Sequence, residues 1–309
     1  MSLQRDCVVL TCDRAYLQPA WFVASQLTAI PGFNADVVIC SGEDLGRPGV
    51  PNVQHRQIDV PDFIKLLPQS ERLREFAYWR IPAIEALAQT YERILYLDTD
   101  VFVNSGSICE LFKLNMREHV VAAALDVHQT VRPRRRVAEF EALGLGHSPY
   151  FNSGVLLVDA ARWREQRAYA RMAELCGVHG QALSRHDQSL LNLAFKDNWL
   201  ELSPVWNWQY SYRNSFLTEW ASPRLIHFAG AHKLWSPAAG RIPRRYREVY
   251  ANFLAAHGGD GGNLLRGDEP SDLPGQAKTL LKNLWYFNAI RRDIKRFSDA
   301  LSTVSHRSS

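Results

Sequence analysis

The chain has 309 residues, 46% hydrophobic and 22% charged, the composition of a globular protein able to bury a large core as one sizeable domain or as a domain plus extensions. Its net charge of +4 is unevenly placed: residues 276–309 hold seven Lys/Arg and two Asp, which leaves the rest near neutral. That distribution argues against a nucleic-acid binder, which would carry its charge on the folded body.

Residues 7–11 (Cys-Val-Val-Leu-Thr) read as a first strand, with no signal peptide ahead of it. Thr11, Asp13 and Tyr16 follow it, at the first strand-to-helix turn where a nucleotide docks in α/β folds, although no G-x-G-x-x-G is present. Residues 17–29 show helical apolar spacing, 35–40 and 53–60 read as further strands, and 72–90 as a helix interrupted or re-entered at Pro82. The run Ile94-Leu95-Tyr96-Leu97 reads as a buried strand that ends in Asp98-Thr99-Asp100. Residues i and i+2 of an extended segment point the same way, so both carboxylates can reach one hard cation; the other reading is a solvated turn. Residues 120–125 form another buried strand, ending at Asp126. This alternation predicts a largely parallel sheet covered on both faces.

Residues 130–149 read as a loop with a basic cluster, Arg132, Arg134, Arg135 and Arg136, either a solvated face or a frame for an anionic acceptor. Residues 257–275 are Gly-rich and read as a linker. Beyond it, Leu280, Leu284, Phe287, Ile290, Ile294 and Phe297 recur at helical spacing among Lys282, Arg291, Arg292, Lys295 and Arg296. Residues 276–309 are therefore expected to form a basic amphipathic tail that lies in a membrane interface; the alternative is a helix docked on the body or on another subunit. No stretch approaches the roughly 18 to 20 apolar residues of a membrane span. The five cysteines are scattered without C-x-x-C spacing, which argues against a disulfide framework or zinc site and fits a reducing compartment. The expected location is cytoplasmic, peripheral on the inner face of the membrane.

Four segments stand in order along the chain: Leu95-Tyr96-Leu97-Asp98-Thr99-Asp100; Tyr150-Phe151-Asn152-Ser153-Gly154-Val155-Leu156-Leu157-Val158-Asp159; Asp187-Gln188-Ser189-Leu190-Leu191-Asn192; and His227-Phe228-Ala229-Gly230-Ala231-His232-Lys233-Leu234-Trp235. With them the chain resembles the family 8 glycosyltransferases, which include bacterial lipopolysaccharide galactosyltransferases and glycogenin, from about residue 5 to about residue 250. Leu234 stands where a proline usually follows the lysine, and Ser189 where the second Asp of D-Q-D is usual; neither removes an expected metal ligand.

The resemblance implies an α/β, Rossmann-like GT-A nucleotide-sugar domain over residues 1–256 with a mixed, mostly parallel sheet, followed by the linker and the helical tail. It implies Asp98, Asp100 and His227 as ligands of Mn²⁺, with Mg²⁺ also suitable. Lys233 would contact the donor diphosphate, with Gly230 giving its loop room to bend. Arg80 would lie near the donor, and Thr11, Asp13 and Tyr16 would hold uracil and ribose. Asn152, Asp187 and Gln188 fall on the sugar side, and Asp126 would contact acceptor or donor sugar.

The implied reaction retains anomeric configuration. A neutral amide is a poor nucleophile, so Gln188 fits a same-face displacement in which the leaving diphosphate helps deprotonate the acceptor, with Asp187 as the fallback nucleophile. The expected function is transfer of galactose or glucose from a UDP-sugar to a lipid-linked or lipopolysaccharide-type glycan. The alternatives are a transferase acting on a polyol or protein, and a non-catalytic sugar- or nucleotide-binding protein. The complete set of Asp98, Asp100, His227 and Lys233 argues against the last.

Overall fold

The structure, a computed structural model, describes residues 4–68, 75–134, 137–145, 148–183, 186–211, 214–230, 232–236, 242–265 and 273–307. Arg135, Arg136 and part of the expected linker lie outside them.

Eleven strands are found among the described residues: β1 Gln4–Thr11, β2 Asp36–Ser41, β3 Val53–Gln57, β4 Tyr91–Leu97, β5 Val101–Val103, β6 Val121–Leu125, β7 Phe151–Asp159, β8 Asn198–Leu202, β9 Trp208–Gln209, β10 Leu225–His227 and β11 Thr303–Arg307. Eight of them form one sheet in the order β11-β8-β6-β7-β4-β1-β2-β3. The pairs β1–β2, β1–β4, β2–β3 and β6–β8 are parallel, and β7 runs antiparallel to both neighbours, so the sheet is mixed and mostly parallel as expected. A small second sheet, β5-β10-β9, stands beside it.

Both faces of the large sheet are covered. Along β1, Val8 and Leu10 enter one core while Cys7 and Val9 enter the other, and along β4 Leu95 and Leu97 alternate in the same way with Ile94 and Tyr96. Period-two alternation with both sides apolar is why these segments read as unbroken hydrophobic runs. All nine residues of β7 are buried, as suits a central strand.

Helix Leu17–Thr28 covers one face through Ala20, Val23, Ala24 and Leu27. Of the two readings at Pro82, interruption or re-entry, the structure shows a helix start. Helix Arg80–Leu87 carries Pro82 in its first turn, where a missing N–H removes no intrahelical bond. The segment expected as a basic loop, residues 130–149, begins with the end of helix Val127–Val131 and contains the short helix Ala138–Ala142. A bulge between Ala123 and Leu125 shifts the β6–β7 register just before Asp126, the kind of irregularity that re-aims a neighbouring side chain.

The described part of residues 276–309 continues a C-terminal helix and adds a strand, and it packs on the body, the second of the two readings of this segment. Helix Leu273–Ile294 packs on helices Val127–Val131 and Ser215–Ala221, and sends Tyr286 and Ile290 into the core. Asn283 accepts from the Phe216 N–H (3.0 Å), and Asp293 accepts from Thr130 (3.0 Å). The chain then adds β11 to the sheet, antiparallel to β8. Glu201 on β8, only 1% exposed, receives both Arg296 Nη1 (2.6 Å) and Nη2 (2.8 Å) and contacts His306 Nε2 (2.6 Å). A buried carboxylate is stable only with such partners, so the basic C-terminal residues complete the fold as well as decorating it. Within the expected linker, helix Gly262–Leu265 buries Leu264, whose carbonyl accepts from the buried Arg247.

Arg296→Ala should therefore lower stability by about 3 kcal/mol, at the low end for breaking a buried pair because Arg296 keeps part of its side chain in solvent. The exposed neighbour Lys295→Ala should cost under about 0.5 kcal/mol. Chemical denaturation of both variants distinguishes this docked arrangement from a free tail, which would give equal small effects.

Candidate active site

Strand β4 delivers its apolar residues into the core and ends at Leu97, leaving the three-residue turn Asp98-Thr99-Asp100 before β5. The turn is pinned from both sheets. The Asp98 N–H donates to the Gly154 carbonyl (2.9 Å), the Val101 N–H to the Asp98 carbonyl (3.1 Å), and the Phe228 N–H to the Asp100 carbonyl (3.0 Å). Because β5 and β10 are antiparallel with Val101 opposite His227, the imidazole arrives over the two carboxylates. His227 Nε2 lies 3.1 Å from Asp100 Oδ1 and 3.5 Å from Asp98 Oδ2. One ligand atom from each of the three residues falls within 4.8 Å of the others.

Gly154 makes this approach possible. A Cβ there would lie 2.1 Å from His227 Cε1 and 2.8 Å from Asp98 Oδ2, so no other residue fits without displacing the cluster.

Two cations moderate the carboxylate repulsion. Arg80, 5% exposed, donates from Nη2 to Asp98 Oδ1 (2.9 Å), places Nε 2.9 Å from Asp187 Oδ2, and donates from Nη1 to the Ser153 carbonyl (2.6 Å) and hydroxyl (3.0 Å). Its guanidinium lies 4.5 Å above the Tyr96 ring. Burial disfavours the Arg80 charge, but Asp187 and Asp98 more than offset this and hold it firmly protonated. Burial likewise pushes the Tyr96 phenol well up, so it stays a donor to Asp98 Oδ1 (2.8 Å) while contacting Thr11 Oγ1 (3.1 Å).

Lys233 Nζ donates to Asp100 Oδ2 and to the Phe228 carbonyl (2.8 Å). For Asp100, burial alone would raise the pKa, yet the charged surroundings, the Lys233 ammonium foremost, outweigh it and hold the carboxyl well below the ordinary range.

On the far side of Gly154, helix His186–Ala194 presents Asp187 and Gln188. Asn192 anchors that helix to β7, accepting from the Phe151 N–H (2.8 Å) and donating to its carbonyl (2.9 Å). Asp187 Oδ2 also accepts from Ser153 Oγ (3.2 Å). Gln188 Oε1 accepts from the Ser153 N–H (3.3 Å) and Asn152 Nδ2 (3.1 Å), and Gln188 Nε2 donates to Asp126 Oδ2 (3.3 Å). Asp126 Oδ1 accepts from the His128 N–H (2.9 Å). Ser189, at the variant motif position, is fully buried and bonds Tyr150 (3.0 Å) and Glu139 (2.8 Å), a structural rather than a site-facing place.

A cavity of about 180 Å³ opens onto the cluster, lined by Thr11, Tyr16, Arg80, Asp98, Asp100 and Lys233 among others. Phe76 and Trp235 complete its aromatic wall, with ring centroids 4.8 and 6.0 Å from Tyr16. Asp13 stands next to it, accepting from the Tyr16 N–H (3.1 Å). Gly230 is exposed in the loop between His227 and Lys233, with open space where a Cβ would be.

The predicted set is thus brought together, except that Asp13 and Gly230 sit at its margin. Tyr96, Ser153, Asn207, Phe76 and Trp235 belong to the same constellation without having been assigned roles from sequence.

The donor set fits a divalent cation. Two carboxylate oxygens and an imidazole nitrogen converge, and Asp100 Oδ1 is buried without a hydrogen-bond partner.

The chain matches the family described as glycosyl transferase family 8 over residues 7–239. Glycosyltransferase GlyF of Streptococcus pneumoniae is 27% identical over 249 residues, covering 75% of this chain and 58% of that protein. General stress protein A of Bacillus subtilis is 27% identical over 222 residues, covering 67% of this chain and 73% of that protein. Lipopolysaccharide 1,2-glucosyltransferase of Escherichia coli is 29% identical over 186 residues, covering 56% and 53%. Among solved structures, galactosyltransferase LgtC in complex with donor and acceptor sugar analogs superposes with a TM-score of 0.64 at 20% identity, covering 80% of this chain and 95% of that one. At that identity the likeness is one of fold.

Gly154→Ala should displace His227 or Asp98. It should lower Mn²⁺ affinity at least about tenfold and cost about 1–3 kcal/mol of stability through overpacking. Paramagnetic resonance titration with Mn²⁺ and chemical denaturation measure the two effects, and an unchanged Mn²⁺ affinity would contradict the close approach described above.

Proposed function

The chain belongs to glycosyl transferase family 8, and on that premise we propose that it transfers galactose or glucose from a UDP-sugar to a lipopolysaccharide-type or lipid-linked glycan, with retention of configuration. The observation that carries this reading is the convergence of Asp98, Asp100 and His227 at the mouth of an aromatic-walled cavity that also holds Arg80 and Lys233. The relatives named as glycosyltransferases and as a lipopolysaccharide glucosyltransferase support it.

A divalent cation held by Asp98, Asp100 and His227, Mn²⁺ in the first place and Mg²⁺ as a substitute, would supply Lewis-acid charge to the departing diphosphate. The chain's own residues do the rest. Tyr16, Phe76 and Trp235 offer ring faces to a base, with Thr11 and Asp13 beside them for uracil and ribose. Lys233 offers an ammonium to the diphosphate, where charge develops as the sugar leaves. Arg80 holds Asp98 and Asp187 in place from below.

Asn152, Asp187 and Gln188 face the sugar. Both Gln188 amide groups are occupied, and Asp187 Oδ2 is held by Arg80 and Ser153. This favours same-face displacement over a covalent adduct. The bond from the anomeric carbon to the diphosphate oxygen breaks, the acceptor oxygen bonds the same face, and its proton passes to the leaving oxygen. Asp126, which accepts from Gln188 Nε2, is the proposed partner of a hydroxyl of the acceptor or of the donor sugar.

The acceptor reading extends to the surface. No helix among the described residues is long and apolar enough to cross a membrane. Helix Leu273–Ile294 nevertheless leaves Leu281 (67%), Leu284 and Trp285 exposed beside Phe216 and Trp220. Lys278, Arg291 and Arg292 are exposed around them, and Arg132 lies 5.8 Å from the Trp285 ring. An apolar patch ringed by cations fits the anionic inner face of a membrane, where each cation contributes about 1 kcal/mol.

Asp100→Ala should reduce UDP release from the donor sugar by at least about a hundredfold, and chelation of wild type by EDTA should do the same reversibly; full activity in EDTA would sink the metal assignment. The double variant Leu281→Glu, Trp285→Glu should release the protein from anionic vesicles without changing its thermal unfolding. A wild-type protein that ignores such vesicles in flotation would remove the membrane reading.

A further inference from the structure

The cation cluster and the Gln188 amide are linked by a chain of hydrogen bonds whose direction is set by the backbone. The Gly154 N–H donates to Asn152 Oδ1 (3.1 Å), and the Ser153 N–H donates to Gln188 Oε1 (3.3 Å). A backbone N–H can only donate, so both carboxamides turn their oxygens toward β7. Asn207 approaches the same Asn152 oxygen at 2.8 Å, and that contact must come from the Asn207 NH₂ group. Asn207 Oδ1 is left 3.0 Å from His227 Nδ1. A carboxamide oxygen only accepts, so Nδ1 carries the hydrogen, and in the neutral ring Nε2 carries the lone pair. Nε2 is the atom that faces Asp100 and Asp98. Asn207, Asn152 and His227 are 1%, 8% and 3% exposed, which leaves little room for water to supply another partner.

We propose that Asn207 is the positioning residue that fixes His227 as its Nδ1–H tautomer, readying Nε2 as a cation ligand, and that through Asn152 it ties this ligand to the orientation of Gln188 on the sugar side. The second-sphere role rests on the cation reading above, whereas the tautomer itself does not. Nothing in the local sequence Trp206-Asn207-Trp208 signals it; only the meeting of β7, β10 and the turn before β9 does.

Two variants separate the two ends of the relay. In Asn207→Asp the carboxylate still accepts from Nδ1–H but has no donor for Asn152. In Asn207→Leu both links are lost. Loss of an outer-sphere partner of a metal histidine weakens metal binding about 10- to 100-fold. Asn207→Leu should therefore weaken Mn²⁺ binding by that factor in paramagnetic resonance titration, while Asn207→Asp keeps near wild-type affinity and lowers kcat for UDP-sugar turnover. Nitrogen-15 NMR of histidine-labelled, metal-free wild type, with the ring neutral, should show His227 protonated on Nδ1. Protonation on Nε2, or equal loss of Mn²⁺ affinity in both variants, would overturn the proposal. A wild type that shows the Nδ1–H tautomer yet binds no Mn²⁺ would overturn the cation reading while upholding the tautomer assignment.

Discussion

Two carboxylates two residues apart along the chain end up beside each other in a largely buried turn, and the rest of the site is arranged around their repulsion. Asp98 and Asp100 are held there by backbone bonds to β7 and to the residue after β10, so they cannot relax apart. Arg80 answers the first and Lys233 the second, and each cation is itself fixed by further acceptors. The remaining unpartnered oxygen, Asp100 Oδ1, faces an imidazole nitrogen. A protein that places negative charge here and leaves one oxygen open has built a receptor for more positive charge than its own side chains provide.

The position of this receptor follows from the topology. The large sheet supplies the first carboxylate and the glycine, the small sheet supplies the imidazole, and the turn between β4 and β5 joins them. The cluster therefore senses the relative placement of two sheets, and a single added methyl at Gly154 disturbs both. The cavity lies outside the carboxyl ends of β1 and β4, where ligands bind in open α/β sheets.

Much of this was legible along the chain. The apolar run of β4 and the paired aspartates at its end are local signals, and so are the buried strands whose alternation predicted a covered sheet. His227 as a partner came from ordered motifs, since a lone histidine has no such signature. What stayed hidden is non-local. Arg80 is read from sequence only as a charge near a donor, but its burial depends on Asp187 and Ser153 arriving from another element. Asn207 sits between two tryptophans with no pattern of its own. The C-terminal helix shows why periodicity does not name the occupant of an apolar face: Tyr286 and Ile290 face protein while Leu281, Leu284 and Trp285 face outward. Strand β11, Thr-Val-Ser-His-Arg, has no apolar run, and is held by pairing to β8 and by His119, which bonds Asn198 (3.1 Å) and Ser305 (2.7 Å).

The central claim is that the carboxylate–imidazole cluster and the aromatic cavity are one site for a nucleotide diphosphate and a divalent cation. Thermal unfolding with UDP alone, Mn²⁺ alone and both together tests it most directly, because ligands that bind one site jointly stabilise the fold beyond the sum of their separate effects. The account predicts a supra-additive rise in Tm that disappears in His227→Ala. A rise produced by UDP that is the same in EDTA as in Mn²⁺ would contradict it.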